Sequence, residues 1–178
     1  KKGDPPPHER FYYLELLRRA GIIDKLPETP AIRLDGAASA KERGIERYRQ
    51  LNFGPAVIGM SPGAAYGTAK RWLPERFAEA ANMVARDTGA SVAIFGSKDE
   101  RELCGTIAAA INAPVHNFAG ETTLAEFIDM AAACRVYLTN DSGGMHISSA
   151  LGVPTVAIFG ATNDVTTGPT RSEEHTSE

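Results

Sequence analysis

The amino-acid sequence predicts an α/β fold: a doubly wound, Rossmann-like parallel sheet with helices on both faces. Three observations carry this expectation. From residue 56 onward, short apolar runs rich in β-branched residues alternate with longer stretches that repeat apolar residues at helical spacing. The connections between them are short, and right-handed crossovers then leave few topologies other than a parallel sheet covered on both sides. Two glycine-bearing turns, over residues 61–67 and 141–144, each stand between such a strand and such a helix.

The elements follow in order. Residues 8–20 place Phe11, Leu14 and Leu17 at helical spacing, and Gly21 is the stop. Residues 22–40 mix prolines with polar groups, and a short strand is expected over 31–34. A charged helix over 39–51 follows, which Pro55 cannot continue. Strands are then predicted at 56–60, 91–95, 115–118, 135–139 and 155–159, with helices at 74–87, 99–111, 123–133 and 143–151 between them. Pro74 fits a first helical turn because its missing N–H has no intrahelical partner there, and Glu75 complements the positive end of the helix dipole. Gly152 ahead of Val153 and Pro154 ends one helix and stiffens entry into the last strand.

With 178 residues, 43% hydrophobic and 23% charged, the chain suffices for one well-buried domain. The expected division is a helix and connector over 1–54, a Rossmann-like domain over 55–170, and a tail over 171–178. That tail lacks apolar periodicity and is read as foreign. A formal charge of −3, with no lysine and arginine cluster interleaved with aromatics, argues against nucleic acid as a partner. Apolar runs are too short or interrupted for a membrane span, and no signal peptide is visible. Cys104 and Cys134 lack Cys-x-x-Cys spacing and neighbouring histidines, so both are expected as packed, reduced thiols suited to the cytoplasm. No bound metal or cofactor is expected.

The two glycine turns carry the functional signal. In open α/β sheets ligands occupy the crevice beyond the carboxyl ends of the strands. Peptide N–H groups at a helix start attract anions, and Lys70 adds a mobile positive charge to the same rim. A nucleotide-diphosphate site is the resulting expectation. A structural reading stands beside it: Lys70 as a solvated lysine, Asp141 or Ser142 as helix caps, and glycines 143 and 144 as allowance for tight packing. A carboxylate next to a diphosphate is repelled by it, so Asp141 is expected to accept hydrogen bonds from backbone donors or sugar hydroxyls. Arg71 is expected in a surface ion pair and Trp72 packed beneath the loop. His8 and His116 are expected to be structural.

These residues also bear a family resemblance. The order Pro62-Gly-Ala-Ala-Tyr-Gly-Thr-Ala-Lys-Arg-Trp72, Phe95-Gly-Ser97, Ala119-Gly-Glu-Thr122 and Thr139-Asn-Asp-Ser-Gly-Gly-Met-His146 resembles the carboxyl-terminal half of the bacterial lipopolysaccharide heptosyltransferases. These belong to glycosyltransferase family 9, and the heptosyltransferase II group is the most similar. The resemblance spans residues 7–169 and reaches about half of such an enzyme, the donor-binding half of a GT-B fold. It implies transfer of heptose from ADP-heptose to the lipopolysaccharide inner core with inversion, and an intact enzyme at the cytoplasmic face of the inner membrane. It further implies donor contacts by Ser61, Gly63, Ala64, Lys70, Glu121, Thr122, Asp141, Ser142, Gly143 and His146, with Lys70 stabilising the departing ADP. The general base and the acceptor surface would belong to an amino-terminal domain, so this chain alone would bind donor without turning it over. Ser97 and Thr162 share the same rim with weaker claims. The sequence departs from the family pattern at Gly144, where a bulky residue is usual, and at Phe159-Gly-Ala-Thr162 in place of Gly-Pro-Thr.

Two other classes fit the same pattern. One is another GT-B-like half, from a UDP-sugar transferase or an epimerase; the other is a non-catalytic doubly wound module. A dehydrogenase is disfavoured because no Gly-x-Gly-x-x-Gly follows the first strand, and a P-loop enzyme because Gly-Lys-Ser/Thr is missing.

Overall fold

A computed structural model describes residues 8–27, 31–64, 68–160 and 162–169. The expected tail over 171–178 and part of the first glycine turn, residues 65–67, lie outside the described residues. Five strands form one parallel sheet: β1 (Val57–Ser61), β2 (Ser91–Ile94), β3 (Val115–Asn117), β4 (Val136–Asn140) and β5 (Thr155–Ile158), in the order β3-β2-β1-β4-β5. The helices are α1 (Glu9–Arg19), α2 (Ala37–Gln50), α3 (Pro74–Thr88), α4 (Arg101–Ala109), α5 (Leu124–Ala132), α6 (Gly143–Ala150) and the single turn α7 (Asp164–Thr167).

Because side chains alternate across a strand, one sheet face collects Ile58, Met60, Val92 and Ile94. These pack with Phe77 and Ala81 of α3 and with Cys104 and Ile107 of α4. The other face presents Val57, Ala93 and Tyr137, which pack with Phe95, with Tyr48 of α2 and with Met130 and Ala131 of α5. Two cores, one per face, are what a doubly wound sheet requires.

The stretch expected as a helix and connector, 1–54, contains α2, whose Tyr48 is 3% exposed in the second core. Gly44 lets α2 approach α5 closely: a Cβ there would overlap the Asp129 carbonyl and lie 2.8 Å from the Ala133 Cβ. Beside it Arg43 grips the Asp129 carboxylate with two bonds of 2.8 and 2.7 Å. The strand expected over 31–34 does not form. That segment crosses the end of α6, where Leu34 N–H donates to the Ala150 carbonyl at 3.1 Å, and a helix carbonyl cannot start a ladder. Two 3-10 turns, Thr68–Lys70 and Lys98–Glu100, and the turn α7 were not expected.

Replacing Gly44 with alanine should destabilise the fold by about 1–3 kcal/mol through overpacking of α2 on α5. The same change at Gly105, where a Cβ meets only the Asn117 amide at an ordinary 3.7 Å, should stabilise α4 by up to ~1 kcal/mol. Urea unfolding of both variants checks the contrast.

Candidate functional site

β1 and β4 are neighbours at the centre of the sheet, yet the chain leaves β1 toward β2 on one side and β4 toward β5 on the other. The connections diverge at this switch point and open a crevice beyond the strand ends. A cavity of about 580 Å³ lies there, walled by Ser61, Gly63 and Ala64 after β1, Lys70, and Asp141 to Gly144 with His146 after β4.

Asn140 holds the walls together. Its side chain is wholly buried; Nδ2 donates to the Pro62 carbonyl at 2.6 Å and Oδ1 accepts from the Trp72 N–H at 3.0 Å. One amide therefore ties both ends of the 62–72 loop to the last residue of β4. Trp72 packs edge-on against Phe77 at 5.4 Å, beneath the loop as expected. Gly160, just beyond β5, gives the turn its seat, since a Cβ there would come within 2.8 Å of the Ala69 carbonyl.

Lys70, at the end of that turn, points its ammonium at the start of α6, where Nζ donates to Asp141 Oδ2 at 2.8 Å. Asp141, expected to accept hydrogen bonds from backbone donors or sugar hydroxyls, has its buried carboxylate, 7% exposed, neutralised by Lys70. Neither Asp141 nor Ser142 caps the helix. Ser142 takes the N-cap position with its hydroxyl turned to Thr139 Oγ1 at 3.0 Å, so no side chain caps α6. Gly143 has no atom within 4 Å of where a Cβ would stand. The uncapped start of α6 therefore faces open space with its positive dipole end. The missing bulk at Gly144 does not disturb the helix start, because α6 begins at Gly143.

His146, one turn along, lines the cavity with its side chain partly open to solvent. Burial holds its imidazole below the ordinary 6.5; the Asp141 carboxylate opposes that shift and His8 reinforces it. His8 itself is structural: Nδ1 accepts from Arg10 N–H at 3.1 Å and Nε2 meets the Gly168 carbonyl at 2.9 Å.

The cavity lining also includes the apolar Phe95, Leu124, Phe127 and Ile147, together with Ser97, Thr122 and Thr123. Glu121 is not in the lining. Its carboxylate pairs with Arg101 at 2.8 Å and His116 at 2.9 Å, and those partners, His116 foremost, hold it below the usual carboxylate range. Glu100 stands in the wall instead, where Oε2 accepts from Ser97 N–H at 2.8 Å. A Cβ on Gly63 would overlap this carboxylate, which is the reason for glycine there. Arg71 has the expected ion pair, with Glu100 at 4.0 Å, but in a half-buried setting, and it also donates to the Ala64 carbonyl at 3.3 Å. Thr162 lies outside the lining, its hydroxyl buried.

Glu100, Asn140 and Tyr137 are the site-shaping residues that the sequence reading missed. Ser97-x-x-Glu100 has the spacing of a capping box, a signal that was available; nothing in sequence marks the side chain of Asn140 as a cross-tie. Both thiols are buried and free, and burial pushes each up to about 12, so they are packing groups. Among the described residues no three His, Cys, Asp or Glu side chains converge as a metal site.

The model of glycosyltransferase family 9 (heptosyltransferase) matches residues 13–177. Lipopolysaccharide heptosyltransferase 2 of Escherichia coli strain K12 is 42% identical over 117 residues, which are 64% of this chain and 33% of that protein. The solved structure of E. coli ADP-heptose LPS heptosyltransferase II superposes with a TM-score of 0.69 at 34% identity, covering 82% of this chain and 45% of that one. A glycosyl transferase family 9 structure from Veillonella parvula DSM 2008 superposes with a TM-score of 0.77 at 26% identity over 93% and 47% of the respective chains. The chain spans a third to a half of the length of these relatives.

Asn140→Ala should cost about 3 kcal/mol in urea unfolding, since it strands the Pro62 carbonyl and the Trp72 N–H without partners. For His146, the unfolded chain takes up a proton before the folded one as pH falls through 6.5. The neutral imidazole thus contributes stability above that pH which is lost in acid. Its NMR-detected titration should fall below 6.5, and the loss of stability from about pH 7.5 to about 5.5 should be smaller in His146→Gln.

Proposed function

Because the chain belongs to glycosyltransferase family 9, we propose that it is the donor-binding half of a GT-B enzyme that transfers heptose from ADP-heptose to the lipopolysaccharide inner core with inversion. The observation that carries this reading is one cavity whose lining combines an ammonium and an uncapped helix start with aromatic and aliphatic side chains. A nucleoside diphosphate needs both. The diphosphate would lie by Lys70 and the amides of Ser142, Gly143 and Gly144, with Ser61, Gly63 and Ala64 opposite and His146 alongside. The nucleoside would lie toward Phe127 and Leu124, with Thr122 at its edge.

Sugar hydroxyls need acceptors, and the carboxylate role expected of Glu121 falls to Glu100, which faces the cavity. In the transfer, an acceptor hydroxyl loses its proton to a general base and attacks the anomeric carbon as its bond to the ADP oxygen breaks. Negative charge then grows on the departing diphosphate, where Lys70 and the α6 amides meet it without reorganising. Asp141 keeps that ammonium aimed at the helix start. The base and the acceptor surface are assigned to a part of the enzyme beyond the span of this chain. Lys70 performs the charge stabilisation, so no cofactor or metal enters the reading. No described helix is long and apolar enough to cross a membrane, and the enzyme is assigned to the cytoplasmic face of the inner membrane, where a nucleotide sugar and a lipid-borne acceptor meet.

Titration calorimetry with ADP, ADP-heptose and UDP tests the assignment. ADP and ADP-heptose should bind more tightly than UDP, and Lys70→Ala should weaken ADP by about 10–100-fold, as removal of a charge-assisted contact does. Unchanged ADP affinity in Lys70→Ala would remove the basis for the assignment.

A further inference from the structure

Tyr137 is an unusual side chain for the middle of a buried parallel strand. It stands opposite Gly59 in the β1–β4 register, and a Cβ at residue 59 would overlap its ring. The glycine leaves room for the ring, and the phenol, wholly buried, ends 2.6 Å from Ser61 Oγ at the cavity wall. Among the described residues Ser61 is the hydrogen-bond partner of that phenol. If Ser61 donated to it, the phenolic hydrogen would be orphaned in the core, which is the costly alternative. Tyr137 therefore donates and Ser61 accepts, leaving the serine hydrogen to point elsewhere.

The space around Ser61 shows where. Gly144 faces it across the cavity wall, and a Cβ there would stand 3.0 Å from Ser61 Oγ and 3.6 Å from Ser142 Oγ. The position bare of a side chain is thus the one that would crowd the serine hydroxyl on its cavity side. We propose that Tyr137 is a positioning residue that commits Ser61 to act as a hydrogen-bond donor into the cavity, toward a phosphate oxygen of the nucleoside diphosphate, with Gly144 keeping that direction open. The proposal rests on the donor-site reading above and adds a residue to it that itself touches no ligand.

A double-mutant cycle on the full chain, with ADP as the titrant, tests it. Tyr137→Phe and Ser61→Ala should each weaken ADP about tenfold, the scale of one lost hydrogen bond to a charged group, and the double variant should lose no more than either. Ser61→Thr, which keeps a hydroxyl, should retain affinity, and Gly144→Ala should lose it. A merely structural tyrosine would lower the melting midpoint without changing ADP affinity in the folded protein, and its effect would add to that of Ser61→Ala. Parent binding ADP with Tyr137→Phe binding equally well would overturn this inference alone; a parent that does not bind ADP would overturn the donor-site reading and this inference together.

Discussion

The site depends on one buried amide. Asn140 ends the central strand β4 and spends both of its side-chain groups on the loop that leaves β1, at the Pro62 carbonyl and the Trp72 N–H. A polar side chain with no exposure is costly unless it is paired, and here the pairing brings two separate strand ends into one rigid frame. Lys70 sits two residues before the tied Trp72, and Asp141 one residue after the tying Asn140. Their 2.8 Å contact is a consequence of that frame.

Glycines complete the frame by permitting approach rather than by supplying flexibility. Gly63 makes room for the Glu100 carboxylate and Gly160 for the Ala69 carbonyl, so the loops after β1, β2 and β5 approach closely. The electrostatics follow from this crowding. The only charge-neutralised carboxylate at the mouth of α6, among the described residues, is Asp141, and it leaves the helix start itself uncapped. Helix-start amides with no internal cap and an ammonium fixed beside them give the lining its anion-attracting groups, and Phe95, Phe127 and Leu124 give it apolar surface. A ligand that is anionic at one end and aromatic at the other matches both, in the way that clefts usually combine a few polar groups with an apolar wall.

Much of the architecture was legible from periodicity. The five strands and the helices between them fall within a few residues of where apolar spacing places them, because each must bury a face and the burial imposes the period. The failed strand at 31–34 shows the limit of that signal: four residues can look extended, but only a neighbouring strand edge can make them a strand, and the chain there meets the end of α6 instead. Of the candidate site, Ser61, Gly63, Ala64, Lys70, Thr122, Asp141, Ser142, Gly143 and His146 line one cavity. Glu121 does not, because its neighbours Arg101 and His116, remote and local, compete for its carboxylate.

The order of apolar and polar residues by itself determined the parallel α/β class, turn residues marked the two glycine turns at strand ends, and short motifs carried the family resemblance. These rest on local periodicity, on turn chemistry and on short motifs, all of which are written along one dimension. Which carboxylate faces the cavity, which amide joins the two turns and which hydroxyl a buried phenol commits to donating were decided by tertiary structure. Each depends on contacts between residues tens of positions apart, which only the folded chain brings together.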